Sequence, residues 1–404
     1  MSLPPRTAAP TGRAGWHRRA GLLPVGYLAA LIVLAFAHPL VAAWWWLAIH
    51  LLLLGAATNA ILVWGAHFTA AVLRVPLSAH WHGAALRLLL LNTGVIAVLA
   101  GGANDRPWLG VAGAAVVFTA VAAHLGWLAR QLRQALPARF AITVRYYLAA
   151  TVALLTGIPA GAWMLVADNR ARPRVLLLHA HVNLLGWILL TVLGTLLTLW
   201  PTVLRTRMDP KALPAARTAL PVAVTGLFLI AGGVLAWWPP VAAAGLAVFG
   251  TAVLITAVPA ARAARHKPPE SFAAWSLAAG AGWLLIAVAV DAVVLSTAPG
   301  PEAAADRFGM VLIPLLAGAV AQILVGALAY LLPMALGGGP ARVRDRTATL
   351  DRHWPQRLAM TNAALVVLML PTGLYIRITT SLLLLAALTQ FLLPAARMLL
   401  LDRR

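Results

Sequence analysis

The chain has 404 residues, 62% of them hydrophobic and only 10% charged, and contains no cysteine. A water-soluble chain carries about a quarter charged residues, so the bilayer is the main solvent here, and disulfide scaffolds, thiolate metal sites and thiol nucleophiles are excluded. The net charge of +21 comes from 31 basic and 10 acidic residues, but the basic ones recur in short clusters between apolar runs, which is a membrane-topology pattern and speaks against nucleic acid.

In chain order, Arg18 and Arg19 precede the first apolar run, as in a signal peptide or ahead of a retained first span. Apolar runs predict twelve helices, over about 22–39, 44–74, 83–101, 108–132, 141–167, 174–204, 215–237, 240–263, 272–296, 307–335, 357–376 and 378–400. Helices are required because lipid offers no partner to an open backbone. The connections after every second span carry Arg74, Arg133, Arg139, Arg205, Arg207, Lys211, Arg262, Arg265, Lys267, Arg342, Arg344, Arg346, Arg352, Arg403 and Arg404, which places them and both termini in the cytoplasm. Trp44, Trp45, Trp46, Trp108, Trp237 and Trp238 then fall at the outer interface. One loop dissents, because Arg170, Arg172 and Arg174 lie on the outer side.

The sequence repeats itself. Gly186, Gly194 and Pro201 match Gly318, Gly326 and Pro333 at one offset, and His50, Gly55 and Arg74 match His181, Gly186 and Arg205 at nearly the same one. The expected fold is therefore all-α, a polytopic membrane protein of the cell membrane with about twelve transmembrane helices in three pseudo-symmetric four-helix units. A cytoplasmic segment over 1–21 is followed by units over 22–137, 138–267 and 268–404, together one integral membrane domain with both termini inside.

Without cysteine, metal chemistry falls to histidine. His50, His179 and His181 all fall near the outer end of the second helix of a unit. Neutral imidazole ligates haem iron and copper without a counter-charge, and the pair expected to meet is His50 with His181. Gly55 and Gly186, deeper by about a turn and a half, would let a flat ring or a neighbouring helix approach the backbone. His179 and His181 are two residues apart and point about 200° away from each other on a helix, so they face different neighbours.

Asp291 is the one carboxylate inside a span, expected to pair, to border a cofactor or proton path, or to form an ion site. Arg172 and Arg174 precede His179 and could hold haem propionates, Arg being matched to carboxylates, or simply be solvated. His38 closes the first span near His50 and is a candidate for orienting it. A second group, His67, His80, His82 and His124, lies at cytoplasmic ends and reads as interfacial histidine beside Trp81 and Trp127, or as a metal site. His17, His266 and His353 sit in Arg-rich loops without further signal. No catalytic residue stands out.

Twelve spans in three groups of four, with the stretch HAHVNLLGW from His179 to Trp187, resemble the catalytic subunit of haem-copper oxidases and nitric oxide reductases. Length and architecture are similar to the NnrS family of haem- and copper-containing membrane proteins, and to membrane halves fused to extracytoplasmic multicopper oxidase or nitrite reductase domains. The resemblance implies haem b, with copper as a second metal, and a redox partner such as an extracytoplasmic copper protein or a quinol. It implies electron transfer, or a role in nitric oxide metabolism or response. The departures are large: the third-unit position matching His181 is Ile313, and the seventh span has neither His nor Tyr. The oxygen-reducing copper site of that family is thus missing. Two other classes compete, a twelve-helix secondary transporter and a cofactor-free membrane anchor or assembly factor for an extracytoplasmic copper enzyme.

Overall fold

The computed structural model describes residues 12–75, 81–167 and 169–401; His80, Arg403 and Arg404 lie outside them. The regular structure in these residues is helical, as a chain with so few polar partners for its backbone in lipid must be. The main helices are α1 (Arg13–Ala37), α2 (Trp44–Leu73), α3 (Trp81–Ala103), α4 (Pro107–Gln134), α5 (Ile142–Val166), α6 (Arg172–Val203), α7 (Ala212–Ala236), α8 (Pro239–His266), α9 (Phe272–Thr297), α10 (Pro301–Leu336), α11 (Trp354–Met369) and α12 (Leu374–Leu400). Eleven are long and apolar enough to cross a membrane, so this is a multi-pass membrane protein. The eleventh expected span, 357–376, is the one that falls short: α11 has 16 residues and stops at Leu370, where Pro371 ends it, and the chain before it forms a short polar helix, Pro340–Leu350.

Burial divides the helices into two classes. In α2, α6 and α10, 50%, 67% and 72% of the most apolar stretch is inside the protein, whereas no other span exceeds 44%. These three form the inner layer, and the rest clothe them and face outward. The last helix returns to the first: α1 packs against α12 and α10 as well as α2.

Small residues set how closely the outer helices pair. A Cβ on Gly226 of α7 would lie 2.7 Å from the Phe249 backbone nitrogen of α8, and one on Gly233 would lie 2.5 Å from that of Ala242. Gly94 of α3 meets Gly113 and Val117 of α4 in the same way. Without a hydrophobic drive between helices in lipid, such backbone contact is what holds a pair together.

Each inner helix changes its winding at a corresponding place. Leu51–Ala57, Val182–Leu189 and Ile313–Ala321 are π-helical. Their first residues are 131 apart each time (182 − 51 and 313 − 182). Each segment holds a glycine pressed on the long helix that precedes it in the chain: Gly55 on Tyr27, Gly186 on Ala153, and Gly318 on Trp283. A π turn inserts one residue and frees a carbonyl, and polar side chains just beyond collect them. Thr58 donates to the Leu53 carbonyl at 2.9 Å, Asn59 to Gly55 at 2.8 Å, and Gln322 to Gly318 at 3.0 Å. At the other end the inner helices stop on a residue with positive φ: Arg74 (φ 57°), Arg205 (φ 53°) and Gly337 (φ 61°). Gly337, with ψ −138°, adopts a conformation open to glycine alone.

Candidate metal centre

The starts of α2 and α6 lie together at the end of the molecule opposite Arg74 and Arg205. His50, half-buried in α2, has its ring centroid 6.4 Å from that of His179 in α6, with the planes 28° apart. The two rings are anchored alike. His50 Nδ1 lies 2.8 Å from the carbonyl of Trp46, one turn back, and His179 Nδ1 lies 2.9 Å from the carbonyl of Gly157 in α5. A carbonyl only accepts, so the proton of each ring is on Nδ1, and in the neutral ring Nε2 keeps its lone pair.

The surroundings fix both rings. The Trp46 indole covers His50 with centroids 4.1 Å apart. His179 lies against Gly161, where a Cβ would come within 2.7 Å of its Cε1. The Asn183 amide, one turn along α6, approaches both His179 nitrogens, at 3.2 Å from Nδ1 and 3.4 Å from Nε2. Gly157 and Gly161 are spaced by four on α5, so they form one bare stripe that admits Asn183 and the imidazole.

His181 turns to other neighbours, as a spacing of two residues requires. Its Nδ1 lies 2.6 Å from the Leu177 carbonyl, and its Nε2 lies 2.8 Å from Asp291 Oδ2 in α9. Both residues are buried, and the Phe308 ring closes the space at 5.3 Å. The pair is neutral as a whole whether its proton is on Nε2 or on Oδ2, which is how a carboxylate is accommodated at this depth. The other oxygen, Oδ1, is buried without a partner. His181 therefore has no nitrogen left for a metal, and the expected pairing of His50 with His181 gives way to His50 with His179.

The remaining candidates have structural partners. Gly55 and Gly186 are filled by Tyr27 and Ala153, so their missing side chains serve helix packing. Arg172 donates to the carbonyls of Met164 (2.6 Å) and Ala167 (2.9 Å), and Arg174 to Leu235 (3.3 Å). These are the open carbonyl ends of α5 and α7, where a cation is favoured by the helix dipole. Such capping accounts for basic residues in the dissenting loop. His38 sits on an exposed turn, bonded to Ala35 and tilted on Trp44.

At the basic end, His67 pairs with His17: Nδ1 of one is 3.2 Å from Nε2 of the other, and His17 stacks on Trp64. His17 was indistinguishable in sequence from other loop histidines. His124 is buried against Trp127, beside Arg87, while His82 is exposed. Among the described residues, no group of three or more His, Asp or Glu side chains could hold a metal. Sequence reasoning missed Trp46, Gly157 and Gly161; the Gly-x-x-x-Gly spacing and the Trp four residues before His50 were the available signals.

Compared with models of known protein families the chain matches none, and no curated protein shows significant sequence similarity.

Proposed function

We propose that the protein is a membrane-embedded redox protein that holds one metal between His50 and His179, the metal being the iron of a b-type haem or copper. The observation that carries this reading is the geometry of the two rings. Their centroids lie 6.4 Å apart, close enough that the two imidazoles, from different helices, would be able to share one metal ion. Both also have Nδ1 tied to a backbone carbonyl, the outer-shell bond that metal-binding histidines use to fix tautomer and ring orientation.

The chemistry the metal supplies when bound is a one-electron exchange between two oxidation states. What this chain's residues do is hold and shelter it. His50 and His179 supply neutral donors from two different helices, and Trp46 and the α5 glycines fix their planes. The His181–Asp291 pair sits on the other side of α6 and leaves the site without a net charge from that direction. With His50 and His179 as its two donors, the metal would suit electron transfer better than substrate binding. This is consistent with a partner that takes or gives electrons, an extracytoplasmic copper protein or a quinol, and with a role in nitric oxide metabolism.

The reading includes three quasi-equivalent units of four helices, with the Arg-rich end inside. It is supported by the three π segments, the three helix ends at a residue with positive φ and the paired glycines of α3–α4 and α7–α8 at an offset of 132 (226 − 94 and 245 − 113). The test is the visible spectrum of detergent-purified protein, oxidised and dithionite-reduced. A Soret band with sharp reduced bands identifies haem, and a copper signal without it identifies copper. Colourless protein free of both metals when taken fresh from membranes contradicts the reading.

A further inference from the structure

At the basic end, a cleft of about 1430 Å³ opens between the starts of α1 and α5 and the ends of α2, α4, α6 and α10. That exceeds the roughly 300–1,000 Å³ of an ordinary small-molecule pocket. Its walls are aromatic and aliphatic, with Trp64, Phe68, Phe140 and Tyr330 among them, and its charged residues are Arg74 and Arg139. No Asp or Glu occurs among its described lining residues.

A second cavity lies directly against the cleft. Trp64, Phe68, Leu199 and Leu331 line it and also line a second, narrow void of about 90 Å³ that runs between α2, α6 and α10. That void is almost wholly apolar and reaches Ala57, Ile188 and Val320, where the π segments lie. A wide, cationic cleft and a thin hydrocarbon-lined tract along the centre of the inner layer therefore share one wall, made by these four side chains.

We propose that this composite cavity binds a single-chain anionic amphiphile, its hydrocarbon chain lying in the tract between the inner helices and its carboxylate or phosphate head at Arg74 and Arg139. Charge decides the class: two guanidiniums with no facing carboxylate match an oxyanion bidentately and give a neutral or cationic head no partner. Shape decides the single chain, because the tract narrows between three helices. The site is separate from His50 and His179, which lie at the opposite end of the inner helices.

The experiment is equilibrium binding of oleate, oleyl phosphate and oleyl alcohol to the delipidated full chain in detergent. Wild type should bind one oleate or oleyl phosphate per chain, with oleyl alcohol about tenfold weaker, the loss expected for charge-assisted hydrogen bonds. The tighter of the two anions identifies a carboxylate or a phosphate head. Replacing both cations (Arg74→Gln with Arg139→Gln) should erase the preference for anions, and Ala327→Phe, which fills the tract, should weaken all three probes. Equal binding of alcohol and anions by wild type overturns the proposal, as does a preference that survives the double substitution or binding unmoved by Ala327→Phe. Should a variant fail to fold, the three wild-type affinities decide.

Discussion

His179 and His181 stand two residues apart on one helix and have opposite chemical situations. His179 gives one nitrogen to a carbonyl and turns toward another imidazole. His181 gives one nitrogen to a carbonyl and the other to a buried carboxylate. Burial is common to both; what separates them is how the second nitrogen is held, by a carboxylate at 2.8 Å in His181 and only by the Asn183 amide at 3.4 Å in His179. A histidine on the apolar side of a membrane helix is thus a ligand candidate only after its second nitrogen has been accounted for.

The comparison can be broken most severely at Asp291. Asp291→Ala leaves a buried imidazole shaped for a charge partner, and should cost about 3–5 kcal/mol of stability, read as a large drop in thermal unfolding temperature with metal content per folded chain unchanged. Replacing both partners by leucine should recover most of that loss, because a paired charge exchanged for packed hydrocarbon is close to neutral. Next, His50→Ala or His179→Ala should abolish metal retention, weakening affinity beyond the roughly 100-fold expected for an outer-shell change, while lowering stability less than Asp291→Ala does. Gly161→Val sharpens the comparison further. It pushes on the His179 ring without removing a ligand, so metal affinity should fall about 10–100-fold, measured by competition with a chelator. The smallest effect is expected at Arg172→Ala, which uncaps α5: under about 1 kcal/mol, with spectrum and metal content as in wild type.

Much of the fold was legible because lipid leaves few choices. Runs such as 174–204 have one stable conformation in hydrocarbon, and the matches of Gly186 to Gly318 and of His50 to His181 fall on the inner helices, although burial and not the repeat marks them as inner. What was not legible was which face meets which. In the ring of units proposed here, equivalent positions such as His50 and His181 are related by rotation, so each faces the interface after its own unit and they do not face each other. The residue that meets His50 must come from the opposite side of α6, and His179, some 200° around the helix from His181, is there. The π turns add to the difficulty, because a widened turn shifts the face of every residue beyond it. Arg172 and Arg174 were misleading for another reason: charge pattern along the chain reports the side of a membrane, whereas these guanidiniums close the carbonyl ends of α5 and α7. Gly55 and Gly186 likewise showed that something approaches closely, without showing that it is a neighbouring helix.

The account stands on His50 and His179 sharing one metal, and the most direct measurement is iron and copper per chain in His50→Ala, His179→Ala and His181→Ala proteins prepared in parallel from fresh membranes. The account predicts that the first two lose the metal of the wild type and that His181→Ala, though less stable, keeps it. Metal retained in His50→Ala and His179→Ala, or lost only in His181→Ala, would contradict it.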